Sequence, residues 1–296
     1  MEIIQVKQEN QERLFKYSSK YGPEHDSSFL PGRDFSVTHE HPSYLLVDAG
    51  QTIGAVSLMR TPRFLGAGKG RFSILHSNRG RESDYARLLG AIRPHFQGLR
   101  EVFLFLPEHQ DQTAKILAGL GFQVERFSFV LQRSGPALPE PVFPEGVYVQ
   151  PLSSGDRDGI RRFSACLNQE FKGLAGHTPS SPEDIASWFA DQSYLENGLC
   201  LLIKGGEAIG TIAMMKDVDD QGAGEILAFG ILPGQQGKGL GRSLFRYGFN
   251  FLLKWGLTPV FLAVNGENHT ALKLYRSEGF HLIESVVCHS FQISRG

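Results

Sequence analysis

The chain has 296 residues, a formal net charge of −1, 41% hydrophobic and 21% charged residues. This balance predicts a packed soluble protein and excludes wholesale disorder, and the near-neutral charge gives no general attraction to nucleic acid or membranes. No apolar run approaches the ~18 residues of a spanning helix, and we expect no signal peptide at the amino-terminus.

The three cysteines are odd in number, far apart, and without metal-ligand spacing. They are Cys166, Cys200 and Cys288. This usage is typical of reduced thiols in a cytoplasmic protein, and it predicts no metal site.

The first half of the chain contains a hairpin, a basic stretch and a strand–helix unit. LLVDAGQTIGAVSLM (residues 45–59) has two β runs around a Gly-containing turn. Residues 60–81 have no acid and six basic side chains, which predict a solvated basic face or, alternatively, contact with an anion. These are Arg60, Arg63, Lys69, Arg71, Arg79 and Arg81. Residues 102–122 predict a buried strand, a helix and a Gly-Phe exit.

A proline-rich segment lies near the middle of the chain. SGPALPEPVFPEG (residues 134–146) has four prolines and two glycines with no helix or strand period. It predicts a semi-rigid linker between two domains, residues 1–133 and residues 147–296.

The two halves resemble each other. Residues 45–59 align without gaps on LLIKGGEAIGTIAMM (201–215), and residues 102–122 align without gaps on residues 260–280. Two matches in the same order indicate duplication of a domain of about 140 residues. Strands that alternate with helices after an initial hairpin predict an α/β domain with a mixed sheet.

A glycine-rich turn follows the third strand of the second half. GEILAFGI (224–231) predicts a strand, RSLFRYGFNFLLKW (242–255) predicts a helix, and LPGQQGKGLG lies between them. A helix start offers amides without partners, and glycines let an anion approach the backbone. Lys238 and Arg242 would add positive charge. The turn therefore predicts a pyrophosphate site, although it is neither a Walker sequence nor the dinucleotide fingerprint.

Two motifs in the second half resemble the signatures of the GNAT N-acetyltransferase family. Gln236-Gly237-Lys238-Gly239-Leu240-Gly241 fits Gln/Arg-x-x-Gly-x-Gly/Ala, the acetyl-CoA signature. Asn265 to Phe280 resembles Asn-x-x-Asn-x-x-Ala-x-x-x-Tyr-x-x-x-Gly-Phe, with Asn268, Ala271 and Tyr275 in register. The resemblance implies two tandem GNAT-like domains, each a mixed, mostly antiparallel splayed sheet flanked by helices.

The resemblance also implies how the co-substrate acetyl-CoA binds. Its pyrophosphate would lie on the loop amides, its pantetheine arm would pair with the third strand where the strands 224–231 and 260–264 splay, and an asparagine would hydrogen-bond it nearby. The implied contacts are Phe229, Gly230, Ile231, Gln236, Gly237, Lys238, Gly239, Leu240, Gly241, Arg242 and Asn268.

Amine acylation requires that the amine lose a proton and that the departing thiolate gain one. By resemblance, Tyr275 is the acid that protonates the thiolate. Glu225 is acidic in an apolar strand, where burial would raise its pKa, and its register resembles the glutamate base of the histone-acetylating branch. A core tyrosine and a solvated carboxylate are the simpler interpretations of these two residues.

The acceptor would bind against the segment before the second hairpin, residues 168–198. Its aromatic character predicts substrate contacts from Phe171, His177 and Trp188, although a lone histidine in a polar loop is commonly a surface residue. Ser181-Pro182-Glu183-Asp184 predicts a helix start. The tandem arrangement is similar to that of mycothiol synthase, which implies a primary amine of a small molecule as acceptor.

The first half departs from the family pattern. Leu117 stands where the alignment places Tyr275, Gln110 stands where it places Asn268, and the counterpart loop carries Glu82 and Asp84. An acid repels a pyrophosphate. The resemblance thus implies a degenerate domain without acetyltransferase activity.

The sequence therefore predicts a cytoplasmic acetyl-CoA-dependent N-acetyltransferase that works by direct attack in a ternary complex, as a monomer or homodimer. A catalytically silent CoA-binding sensor or scaffold is the alternative. An aminoacyl transferase that uses charged tRNA is a third interpretation, disfavoured by the near-neutral charge and the intact glycine loop.

Overall fold

The structure is a computed structural model that describes residues 1–25, 30–32, 35, 37–174, 177–217, 220 and 222–293. Residues 175–176 of the predicted acceptor segment therefore lie outside the described residues. The chain divides into two compact units: unit 1 is residues 1–128 with the segment from Ser285 onward, and unit 2 is residues 129–284.

Unit 1 has a mixed sheet with helices packed on it. The strand order is β1-β2-β3-β4-β5-β12, and only the pair β4–β5 among these described pairs is parallel. The strands are β1 (Glu2–Gln5), β2 (Ser43–Asp48), β3 (Gln51–Met59), β4 (Lys69–Ser77), β5 (Glu101–Pro107) and the end of β12 (His281–Gln292). The helices are α1 (Gln11–Tyr21), α2 (Pro62–Gly66), α3 (Glu82–Ile92) and α4 (Asp111–Gly119).

Unit 2 repeats this plan. Its strand order is β6-β11-β10-β9-β8-β7, with β10 parallel to β11 and antiparallel to β9. The strands are β6 (Gln123–Arg133), β7 (Val147–Pro151), β8 (Tyr194–Lys204), β9 (Glu207–Lys216), β10 (Gly224–Ile231) and β11 (Val260–Asn265). The helices are α5 (Arg157–Glu170), α6 (Pro182–Ser187), α7 (Leu240–Lys254) and α8 (His269–Ser277).

The duplicated hairpins are confirmed. β2–β3 and β8–β9 are antiparallel pairs with two-residue turns. Ala49 and Gly50 have φ of 47° and 79°, and Gly205 and Gly206 have φ of 58° and 83°. Positive φ at both turn positions matches the right-handed twist of the flanking strands, which is why small residues stand there.

The sheet of unit 2 is splayed, as predicted. β10 pairs with β11 only at Gly224 and Glu225, whereas β10 continues beside β9 as far as Ile231. A bulge at Leu227 interrupts the β9–β10 register. Beyond Glu225, the backbone of β10 that faces β11 is therefore available to another chain or ligand.

The two faces of this sheet have different cores. α7 packs on one face, where Phe245, Phe249 and Met214 are fully buried. α5 packs on the other face, where Phe163 meets Met215 and other buried apolar side chains. The unpaired part of β10 thus directs alternate side chains toward α7 and toward α5.

The units differ from the predicted domain boundaries at both ends. Residues 286–292 of β12 pair antiparallel with β5 in unit 1, and residues 129–146 belong to unit 2. The proline-rich segment is not a free linker, because the Asn250 side chain exchanges hydrogen bonds of 2.8 and 2.9 Å with the backbone of buried Leu138. The short strands β1 and β7 were also not predicted.

Two absences apply to the described part of the chain. It contains no helix with the length and apolarity needed to cross a membrane. It also contains no group of three or more potential metal ligands.

Candidate functional site

The glycine loop of unit 2 connects the splayed strand to a long helix. β10 ends at Ile231, α7 begins at Leu240, and the Gln236 side-chain amide donates to the Ile231 carbonyl at 2.9 Å. Gly237 and Gly239 have φ of 77° and 78°, a region that disfavours residues with a Cβ. The backbone at these two positions therefore favours glycine.

The start of α7 is open. Gly239 occupies the N-cap position and no side chain caps the helix. A Cβ built on Gly237 or Gly239 meets no other atom within 4 Å. The first amides of a helix have no intrahelical acceptor, and the helix dipole adds partial positive charge there. Residues 232–243 include no acidic side chain, so the arrangement fits an anionic group such as a pyrophosphate.

The two basic side chains predicted to add charge to this loop differ in their partners. Lys238 is exposed, and its Nζ donates to the Gly234 carbonyl and to Gln235 Oε1, both at 3.0 Å. The Arg242 guanidinium is not free, because it pairs with the carboxylate of Glu278, which also receives Arg246 at 2.9 Å. The Glu278 side chain is 2% exposed, so Arg242 compensates a buried charge rather than adding net charge to the loop.

Tyr275 lies on α8 in an aromatic cluster on the α7 side of the sheet. Its ring centroid is 5.0 Å from that of Phe245 and 6.2 Å from that of Phe229. Among the residues that the structure describes, no group hydrogen-bonds its hydroxyl. Burial raises the pKa of this phenol above its ordinary value of 10.0, so it stays protonated in the physiological pH range.

Asn268 is the N-cap of α8. Its Oδ1 accepts the Ala271 amide at 3.1 Å, which leaves the Nδ2 amide as the donor available to a ligand.

Glu225 faces α5 from the last paired position of β10. It stands opposite Met215 of β9, and cross-strand partners point to the same face of a sheet. Burial, followed by the nearby charge of Asp217, raises the pKa of Glu225 to about 7. The sequence-based expectation of a raised pKa agrees with this direction.

Glu170, the last residue of α5, was not predicted as a site residue. Its Oε2 accepts the Thr211 hydroxyl at 2.6 Å and its Oε1 accepts the Cys166 thiol at 3.4 Å. Burial raises its pKa to about 8. The sequence did contain a signal for Glu170. An acidic side chain at the carboxyl end of a helix interacts unfavourably with the helix dipole, so its presence there suggests a functional role.

The aromatic residues predicted for the acceptor lie near α5. Phe171 stacks with His177 at a centroid distance of 5.9 Å, and Trp188 packs edge-on against buried Phe163 at 6.2 Å. The predicted helix start at Ser181 is confirmed, with a complete capping box to Asp184.

Comparison with known proteins defines the class of this protein. Residues 163–280 match the acetyltransferase (GNAT) family. This range contains the glycine loop, the splayed strands and both signature motifs. Residues 163–280 therefore form an acetyltransferase (GNAT) domain.

Several mycothiol acetyltransferases are similar to this chain in sequence. That of Thermomonospora curvata is 29% identical over 245 residues, covering 80% of this chain and 78% of the relative. That of Kytococcus sedentarius is 28% identical and covers 66% of each chain. That of Streptomyces avermitilis is 31% identical over 150 residues, and the chain spans 47% of its length.

Solved structures confirm the fold. A GCN5-related N-acetyltransferase from Sphaerobacter thermophilus gives a TM-score of 0.73 at 17% identity, covering 99% of this chain and 96% of that one. A tandem GNAT protein from the clavulanic acid biosynthesis pathway gives a TM-score of 0.70 at 14% identity, with full coverage of both chains.

Proposed function

We propose that this acetyltransferase transfers the acetyl group of acetyl-CoA to a primary amine of a small molecule, by direct attack in a ternary complex at the splayed sheet of unit 2. One observation supports this above all. β10 leaves β11 after Glu225, and the loop of residues 232–239 connects its unpaired end to the open start of α7.

Unit 2 offers the donor two kinds of contact. The open amides of residues 237–242, with Lys238, would hold the pyrophosphate, and the free backbone of Phe229 to Ile231 would pair with the pantetheine arm as an added strand. The Nδ2 amide of Asn268 would donate to the same molecule. Acetyl-CoA supplies an acyl group on a good leaving thiolate.

The acceptor amine must lose a proton before it attacks. Glu225 faces the α5 side of the cleft, and a pKa of about 7 makes its carboxylate a suitable base at neutral pH. It would take the proton directly or through a water molecule.

The departing thiolate needs a proton from an acid. Tyr275 has a hydroxyl without a partner among the described residues and a pKa raised by burial, so it remains protonated until the thiolate forms.

The acceptor would lie beside α5 and residues 177–194, with Phe171, His177 and Trp188 around it. The mycothiol acetyltransferases support a small-molecule acceptor, because that of Thermomonospora curvata matches 80% of this chain. Unit 1 would then support the catalytic unit without binding acetyl-CoA.

Calorimetry with acetyl-CoA, followed by thiol release with a panel of primary amines, tests this function. We expect one tight acetyl-CoA site and turnover with at least one amine. Tight binding without turnover on any amine would favour the CoA sensor, and no binding would overturn both.

A further inference from the structure

The Glu170 carboxyl lies so close to the splayed strand that position 230 has no room for a Cβ. A Cβ built on Gly230 would lie 2.6 Å from the Glu170 carboxyl carbon, so only glycine at position 230 admits this carboxyl. Gly230 belongs to the part of β10 that no longer pairs with β11. The carboxyl is therefore at the open edge of the sheet, on the α5 face, and the residue remains partly exposed.

Glu170 has only neutral partners. Thr211 donates a hydroxyl and Cys166 a thiol, and no Lys, Arg or His among the described residues forms an ion pair with it. Ionising a largely desolvated carboxyl is unfavourable without a cation. An ionisable group beside the open strand edge therefore fits a positively charged partner that arrives from outside and stabilises the ionised form.

Glu170 and Glu225 lie on the same face. Thr211, which holds Glu170, is opposite Gly230, and Met215 is opposite Glu225 on the same strand pair. The positions between them carry the small side chains of Ala213 and Ala228. Both alanines are buried beneath α5, so an acceptor would lie at the open edge of β10 on this side, with one carboxyl at each end.

We propose that Glu170 is an acceptor-binding residue that selects amines carrying net positive charge and rejects those with a carboxylate beside the amine. This inference rests on the proposed function, since it assigns the acceptor to the α5 face of the same cleft.

The electrostatics of Glu170 agree with this role. In the free protein, burial raises its pKa to about 8, so the carboxyl is mostly protonated at neutral pH. An ammonium beside it favours the ionised form, and the carboxyl then releases its proton to solvent. A carboxylate on the ligand would instead disfavour the ionised forms of Glu170 and Glu225, so binding would lose this charge pairing.

Matched pairs of amines test the proposal. Histamine with histidine, cadaverine with lysine, and agmatine with arginine differ by one carboxylate, and each amine has a second basic group for Glu170 besides the amine that reacts. We expect the protein to bind an amine in the presence of CoA, or to acetylate it in the presence of acetyl-CoA, at least ~10-fold better than the matching amino acid. In Glu170→Gln, the KM or Kd of the amine should rise about tenfold, with kcat and acetyl-CoA affinity within about twofold.

Asp158→Asn is the matched control, because it removes an exposed acid from the first turn of the same helix. It should change neither affinity nor preference. Glu170→Gln should also increase thermal stability at pH 8. The wild-type carboxyl has a pKa of about 8 in the folded protein and 4.5 in the unfolded chain, so unfolding releases a proton and is favoured as the pH rises. The variant lacks this destabilising group. A merely structural carboxyl would instead lose stability on replacement.

If Glu170→Gln does not fold, Thr211→Val tests the proposal instead. This change removes the hydroxyl that orients the Glu170 carboxyl, and it should raise the KM of the amine about threefold. Equal use of amines and amino acids, no amine bound, or variants that behave like Asp158→Asn would overturn the proposal. Normal acetyl-CoA binding in those experiments would leave the proposed function intact, whereas its absence would count against that function.

Discussion

Units 1 and 2 contain the same bulged strand but place different side chains on it. β4 pairs with β5 only at Lys69 to Arg71, and β10 pairs with β11 only at Gly224 and Glu225. Each strand carries a bulge against its other neighbour, at Ser73 in β4 and at Leu227 in β10. Both units therefore have a splayed sheet.

The connections after these strands differ. In unit 1 the loop is residues 78–81, half as long as residues 232–239 in unit 2. Arg81 is the N-cap of α3, where α7 has Gly239. Asp84 is fully buried in the first turn of α3 and accepts the Ser77 hydroxyl at 2.9 Å. An acid thus lies at the helix start of unit 1, where unit 2 has open amides.

The splayed edges also differ in what fills them. His76 stands opposite Ala55, which aligns with Thr211, so His76 takes the register position of Gly230. Its ring bonds Tyr17 at 2.8 Å and Glu24 at 3.0 Å, and it is 2% exposed. A bulky histidine and its partners occupy the space that glycine leaves for Glu170 in unit 2.

We propose that a shared fold does not suffice for acetyl-CoA binding. The proposed site needs open backbone at the helix start and at the strand edge. Side chains occupy both places in unit 1, whereas glycines leave both open in unit 2.

The largest effect should come from closing the helix start of unit 2. Gly239→Glu places a carboxylate among the amides and a Cβ at φ of 78°, and acetyl-CoA affinity should fall at least ~10³-fold. Isothermal calorimetry measures this. Arg81→Glu, at the matching N-cap of unit 1, should leave the affinity near normal; a large loss there would mean that unit 1 also binds the donor.

The next effect should come from the tyrosine that unit 1 lacks, since Leu117 aligns with Tyr275. Tyr275→Phe removes the proposed acid, and kcat should fall by about 10² to 10³ with acetyl-CoA affinity unchanged. Stability should change little, because the hydroxyl has no partner among the described residues. Single-turnover thiol release measures the rate, and an unchanged rate would remove Tyr275 from the mechanism.

A somewhat smaller effect should come from Glu225, whose place in unit 1 is taken by Arg71. In the wild type, kcat/KM should rise with pH up to about 7, because the carboxyl accepts a proton only when ionised. Glu225→Gln should lower kcat/KM about 10²-fold and remove this rise. A variant that keeps the same pH profile, measured with the same amine, would assign the base elsewhere.

The smallest effect should come from the buried tyrosine of unit 1. Tyr17→Phe removes the hydroxyl that contacts His76, the Ile53 carbonyl and the Asn78 amide, so the free energy of unfolding should drop by about 1–3 kcal/mol. The kcat should not change. Denaturant titration with parallel assays measures both, and an altered kcat would give unit 1 a part in the chemistry.

Local patterns made much of the fold predictable. The hairpins follow from turn glycines, the α6 start follows from its capping box, and the open loop follows from Gly237 and Gly239. These features depend on residues close in sequence.

Long-range contacts were not predictable. The pairing of residues 286–292 with β5 joins segments far apart in sequence, and an apolar strand does not specify its neighbour. The Arg242–Glu278 pair and the approach of Glu170 to Gly230 likewise depend on tertiary packing. For the same reason, the linker prediction did not anticipate that Leu138 is buried beside Asn250.

A crystal structure of the protein soaked with CoA is the most direct test of the proposed site. We expect the pyrophosphate on the amides of residues 237–242 and the pantetheine arm alongside Phe229 to Ile231. Coenzyme bound to unit 1, or anywhere else while the start of α7 stays empty, would contradict the proposal.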